Sequence, residues 1–139
     1  MSRFVSDNEK MTASIAARLA GRVQTGDVIA LYGTLGAGKT VFCRGFIQAL
    51  CPDQEVPSPT FTLLQTYETS RFPVYHFDMY RLKKSEEAYE IGIEDAFTEG
   101  VSLIEWPEKI ESLLPKKVIR VTITPQGEKR LISIEGIDL

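Results

Sequence analysis

Residues Gly33-Thr34-Leu35-Gly36-Ala37-Gly38-Lys39-Thr40 fill every fixed position of the pattern G-x-x-x-x-G-K-S/T, and the flanking segments are the ones that pattern requires. The run Val28-Ile29-Ala30-Leu31-Tyr32 before it is short and continuously apolar, which predicts a buried strand. After it, Phe42, Phe46, Ala49 and Leu50 share one face of a helix predicted over residues 41–50. A strand that turns into a helix through such a loop is the opening unit of an α/β sheet, with the loop at the carboxyl edge of the strand. Glycines let backbone N–H groups wrap an oxyanion without Cβ clashes, and the helix N-terminus adds partial positive charge. Lys39 can reach terminal phosphates and the Thr40 hydroxyl can ligate Mg²⁺. The motif therefore predicts a nucleoside triphosphate site.

The remaining segments extend that unit. Ser6-x-x-Glu9 has the form of a capping box ahead of a helix whose face holds Met11, Ile15 and Leu19. Gly26-Asp27 turns the chain into the apolar run. Cys51-Pro52-Asp53 ends the second helix, and Pro57-Ser58-Pro59 forces an extended segment up to Thr60, because a residue before proline avoids helical angles. Residues 61–67 and 74–78 are predicted strands joined by a turn over 68–73. Residues 85–98 are predicted helical with an interruption at Gly92, and Val101-Ser102-Leu103-Ile104-Glu105 reads as a buried strand. Ile119, Val121 and Ile123, then Ile132 and Ile134 beyond Pro125-Gln126-Gly127-Glu128, alternate as in a half-exposed antiparallel hairpin. The expected fold is a three-layer α/β, phosphate-loop NTPase-like domain with a mixed central sheet, formed by residues 1–139 as a single unit.

Bulk properties exclude several classes. With 139 residues, 43% hydrophobic and 25% charged, the chain has the composition of an ordinary globular domain. No stretch approaches the roughly 20 apolar residues of a membrane helix, and the first residues lack the apolar core of a signal peptide. Cys43 and Cys51 form no C-x-x-C pair, so neither a disulfide framework nor a zinc site is expected. These features fit a cytoplasmic protein with no membrane partner. A net charge of −3 disfavours a large nucleic-acid surface, and DNA is not an expected partner. Charge is nonetheless uneven: residues 86–111 hold nine acids against Lys109, whereas 116–130 hold Lys116, Lys117, Arg120, Lys129 and Arg130 against Glu128. Either stretch is a solvated face or a docking surface for a partner of opposite sign.

A bound triphosphate needs carboxylates for its metal and its attacking water. Glu105 closes one apolar strand and Asp78 closes another, so the two compete for the position that completes a Mg²⁺ site with Thr40. Thr60 or Ser58, on the proline-bound loop, is placed to sense the γ-phosphate, as the equivalent loop does in switch GTPases. His76 is the only histidine, which excludes a histidine-based metal site, and it reads as a packed strand residue. Trp106 beside Glu105 could belong to the core, stack on a base or anchor an interface, while Arg44 and Arg81 are candidate phosphate or partner contacts. A standard GTPase is excluded, since Asn8 is the only asparagine and no Asn-Lys-x-Asp signature exists.

Taken in order, Gly36-Ala37-Gly38-Lys39-Thr40, Ser58-Pro59-Thr60-Phe61-Thr62, His76-Phe77-Asp78-Met79-Tyr80-Arg81 and Ile104-Glu105-Trp106-Pro107-Glu108 resemble the bacterial TsaE family, formerly YjeE, across roughly residues 4–124. The resemblance implies a cytoplasmic Mg²⁺-dependent ATPase that docks on a TsaB–TsaD heterodimer and supports N6-threonylcarbamoyladenosine formation at position 37 of tRNA. It implies that Gly33, Gly36, Ala37, Gly38, Lys39, Thr40 and Val41 cradle ATP or ADP, and that Thr12 lies near the nucleotide; tRNA is expected to be met indirectly or weakly. It further implies that Thr40 and Glu105 hold Mg²⁺ and that Asp78 is needed for hydrolysis; Thr60, from its place on the loop, is the third catalytic candidate. Two positions depart from the pattern: Thr34 replaces a common acid or amide, and Val41 replaces a frequent second threonine. Losing that hydroxyl removes a neutral hydrogen bond worth about 1 kcal/mol. Outside the family, the alternatives are a small-molecule or nucleoside kinase and a non-hydrolysing nucleotide-gated adaptor. No evident arginine finger is present, so turnover is expected to be slow without partners.

Overall fold

The computed structural model describes residues 1–34, 36–56 and 63–139. Seven strands among them form one sheet: β1 (Ser2–Ser6), β2 (Val28–Tyr32), β3 (Leu64–Tyr67), β4 (Val74–Asp78), β5 (Val101–Glu105), β6 (Ile119–Gln126) and β7 (Lys129–Glu135), in the order β1-β7-β6-β2-β5-β4-β3. The centre, β6-β2-β5-β4, is parallel, and antiparallel strands close both sides. The sheet is mixed, as the sequence predicts. The carboxyl ends of β2, β4 and β5 therefore reach the same edge, which is where a doubly wound sheet binds its ligand.

Helices cover both faces. Helices α1 (Glu9–Ala20) and α2 (Lys39–Leu50) pack on one side, and the short α3 (Glu87–Glu90) and α4 (Ile93–Glu99) with a 3₁₀ stretch (Pro107–Leu113) pack on the other. Strand alternation sorts the core accordingly. Ile29, Leu31, Val101 and Leu103 join Phe42, Phe46 and Leu19 under α1 and α2. Val28, Ala30, Phe77 and Ile104 join Ile93, Ala96 and Ile110 beneath the opposite layer. Gly92, at φ 84°, separates α3 from α4 at the predicted interruption. Gly45 lets two helices meet closely. A Cβ there would fall 2.6 Å from the Ala13 Cα, so α1 and α2 touch backbone to backbone.

Two features differ from expectation. The capping residue of α1 is Asn8, whose Oδ1 accepts the Met11 N–H at 2.8 Å, rather than Ser6 of the apparent capping box. Ser6 instead ends β1, and its hydroxyl is 2.7 Å from the Thr12 hydroxyl and 2.8 Å from the Asn8 carbonyl. Strand β1 has no distinct signal in the sequence, because it is short, lies at an edge and draws its order from pairing with β7 across the whole chain. Among the described residues no helix is long and apolar enough to cross a membrane.

Candidate functional site

Lys39 and Thr40 open α2 directly after the glycine-rich loop. Gly38 caps that helix at φ 107°, a left-handed conformation that side chains rarely adopt, and no side-chain hydrogen bond caps the helix there. Its first N–H groups are thus left for an anion, reinforced by the helix dipole. Gly33 follows β2, and Ala37 is buried, its carbonyl accepting a bond from Arg130 Nε at 3.1 Å. Arg130 sits at the start of β7, so the β6–β7 hairpin braces the loop from the side. From sequence, Arg130 stands out only as part of a basic stretch.

The two competing carboxylates are neighbours. Parallel pairing of β4 with β5 puts Asp78 opposite Glu105. Glu105 is buried, with Oε1 3.4 Å from Thr40 Oγ1 and Oε2 2.7 Å from His76 Nε2. Asp78 Oδ1 accepts the Tyr80 N–H at 3.0 Å. Burial raises the Asp78 carboxyl above its ordinary range, the Tyr80 bond opposes that, and the nearby Glu105 charge adds to it. Alternation explains the grouping: His76 and Asp78 are two residues apart on β4 and so lie on one face. His76, which reads from sequence as a packed strand residue, is fully buried against Glu105.

Trp106 makes the turn after Glu105 at φ 56° and ψ 50°, the left-handed region, which is an outlier for a bulky residue. That turn delivers its ring to Lys39, whose Nζ is 3.5 Å from the ring centroid, and to Tyr80, at 4.9 Å between centroids. Lys39 itself is buried, and burial lowers its pKa against the pull of Glu105, Glu108 and Asp78. Trp106 is thereby placed at the site rather than in a remote core.

The other candidates fall as follows. Thr12 is buried with its hydroxyl engaged by Ser6. Arg44 donates to the Val56 carbonyl at 3.3 Å. Val41 occupies the first turn of α2. Thr60 and Ser58 lie outside the described residues, as does the proline segment around them. Of the basic stretch, Arg120 pairs with Glu111, Lys129 with Asp7 and Arg130 with the loop. Lys116 and Lys117 instead line a hollow of about 690 Å³ with Arg22 and Asp27, near the amino ends of β2 and β6 and away from the loop.

Oxygen donors from Thr40, Glu105 and Asp78 suit Mg²⁺, which prefers hard ligands. Cys43, His76 and Glu105 also bring one donor atom each within 4.8 Å of one another. A zinc-bound histidine ordinarily donates its second ring N–H to an acceptor, yet His76 Nδ1 has no partner among the described residues. Burial, above all, raises the Cys43 thiol well above its usual value, which favours the neutral form. Cys43 and Cys51 are free thiols.

A family model described as threonylcarbamoyl adenosine biosynthesis protein TsaE matches residues 6–132. A Rickettsia felis protein named tRNA threonylcarbamoyladenosine biosynthesis protein TsaE is 47% identical over 133 residues, covering 94% of this chain and 78% of its own. Its namesake from Bacillus subtilis is 38% identical over 122 residues, covering 87% and 76%. The crystal structure of Bacillus subtilis YdiB matches with a TM-score of 0.82 and 32% identity, over 96% of this chain and 83% of that one. With the model spanning most of the sequence and relatives this similar along it, the chain belongs to the TsaE family.

Proposed function

We propose that the chain binds ATP with Mg²⁺ at the 33–41 loop, hydrolyses it, and in doing so serves N6-threonylcarbamoyladenosine formation on tRNA as the cytoplasmic partner of a TsaB–TsaD heterodimer. What supports the ATPase reading is the meeting of Thr40, Glu105 and Asp78 at one sheet edge, with Glu105 Oε1 3.4 Å from Thr40 Oγ1 and Asp78 beside it in register. The pathway is supported by the names of the relatives, and the TsaB–TsaD partner is what the family resemblance implies.

In this reading the loop amides and the α2 N-terminus bind phosphate oxygens. Thr40 and Glu105 hold the metal, which would neutralise charge on the β- and γ-phosphates. Lys39 leaves the Trp106 ring for the terminal phosphates, and Asp78 orients the attacking water. The raised pKa of Asp78 suits a group that accepts a proton late in the reaction. The sequence holds no evident arginine finger, and one supplied in trans accelerates hydrolysis by about 10³–10⁵.

The test is phosphate release from labelled ATP, measured for the chain alone and with TsaB–TsaD. Slow release alone and faster release with the heterodimer is the expected result. Label on a small acceptor would replace this reading with a kinase, and no turnover under either condition would leave a nucleotide-gated adaptor.

A further inference from the structure

We propose that His76 is a positioning residue of the metal site: it fixes which oxygen of Glu105 faces Thr40. The inference rests on the nucleotide reading above, which it deepens. Glutamate has three rotatable bonds, so a carboxylate at a strand end does not by itself present one oxygen in one direction. Here Oε2 is taken by His76 Nε2 at 2.7 Å, and only Oε1 remains toward Thr40 Oγ1, at 3.4 Å. His76 is fully buried and Glu105 is 4% exposed, so water does not compete for that bond.

The tautomer follows from the same surroundings. His76 Nδ1 is buried and has no hydrogen-bond partner among the described residues. A proton on Nδ1 would leave a buried N–H unpaired and point a lone pair at the carboxylate. Both are costly where water is absent. The geometry therefore puts a ring proton on Nε2, which donates to Glu105 Oε2. Without that donor, the opposing attraction is the Lys39 ammonium. Lys39 feels the Glu105 charge, yet among the described residues it forms no ion pair and rests on Trp106. His76 keeps the carboxylate on the Thr40 side of that competition.

Because His76 is the only histidine, its ring nitrogens are read by NMR on the free protein without ambiguity. The expected spectrum shows an Nε2–H with a proton protected from exchange and no proton on Nδ1, and Glu105→Ala releases the Nε2 proton to fast exchange. An Nδ1–H tautomer, a mixture, or a spectrum indifferent to Glu105→Ala would overturn the inference. A second arm follows binding of a non-hydrolysable ATP analogue by calorimetry as Mg²⁺ is varied. His76→Leu should raise the half-saturating Mg²⁺ by about tenfold or more, His76→Gln should recover most of that loss by restoring an N–H donor, and binding without Mg²⁺ should not change. Equal Mg²⁺ dependence in all three proteins would reduce His76 to a packing residue. If the unaltered chain binds no nucleotide, the nucleotide reading fails, and the NMR result alone decides the Glu105–His76 relation.

Discussion

Lys39 carries its ammonium 3.5 Å from the centroid of the Trp106 ring, inside a site where the neighbouring strands β4 and β5 both end in carboxylates. A cation over an indole face recovers part of the hydration it loses on burial. Phosphate oxygens are stronger partners, so a bound triphosphate should draw the ammonium off the ring.

That exchange should be visible directly. Trp106 is the only tryptophan, and its emission reports the charge over its face. Adding ATP with Mg²⁺ should shift or change Trp106 emission saturably in the unaltered chain, and Lys39→Ala should already show altered emission with little further response. Identical titrations of the two proteins would mean that the ammonium does not move.

Lys39 should also separate stability from binding. Burial lowers its pKa from the usual 10.5, so the folded state disfavours the charged form. For a base whose folded value lies below its unfolded value, the full cost is present below the folded value and fades as pH rises toward 10.5. Lys39→Met, which keeps the stem and removes the charge, should therefore melt higher than the unaltered chain at neutral pH, with the gap closing as pH approaches 10.5. ATP at about 100 times its dissociation constant should add about 2.7 kcal/mol to the unaltered chain and little to the variant. Calorimetric melting across pH, with and without ATP, measures both effects.

The loop, the strand ahead of it and the helix behind it are legible in the sequence because their signals are local: apolar runs, glycine spacing and 3.6-residue periodicity. Glu105 and Asp78 are legible as strand ends for the same reason. Their adjacency is not, since it depends on β4 pairing in parallel with β5, a choice made by the whole sheet. Once that pairing is known, alternation puts His76 one pleat behind Asp78 on the same face, so the missing signal is the strand order rather than the residue. Arg130 reaches the loop from far along the chain, and the left-handed turn at Trp106 has no glycine to announce it. Asn8 displaces Ser6 as the α1 cap because Ser6 belongs to a strand whose partner lies near the other end of the sequence.

Division of labour between the two carboxylates gives a third expectation. Glu105 Oε1 is the oxygen beside Thr40, whereas Asp78 makes no described side-chain contact with Thr40 and is bonded to the Tyr80 N–H. Glu105→Gln should weaken Mg²⁺-dependent nucleotide binding, while Asp78→Asn should leave that binding nearly intact and lower hydrolysis by about 10²-fold or more, the usual scale for losing a group that handles the attacking proton. Calorimetry with a non-hydrolysable analogue, set beside phosphate release with partners present, separates the two. The reverse pattern would exchange the roles.

Helix contact at Gly45 links the fold to the site and reverses a familiar substitution rule. In a helix interior, glycine to alanine ordinarily stabilises by about 0.4–1 kcal/mol. At Gly45 the new Cβ would meet the Ala13 Cα at 2.6 Å, its Cβ at 2.8 Å and its carbonyl oxygen at 2.9 Å, all part of a packed neighbouring helix that has no flexible end to give way. Gly45→Ala should therefore destabilise by about 1–3 kcal/mol, the range for overpacking a filled core. Gly21, at the end of α1, is the internal control: its φ is −73° and a Cβ there meets nothing nearer than the Arg18 carbonyl oxygen at 3.5 Å. Gly21→Ala should be neutral or slightly stabilising. Because α2 begins at Lys39 and Thr40, pushing it away from α1 also shifts the Thr40 hydroxyl relative to Glu105. Gly45→Ala should accordingly lose Mg²⁺-dependent nucleotide affinity as well as melting temperature, whereas a purely local strain would lower the melting temperature alone.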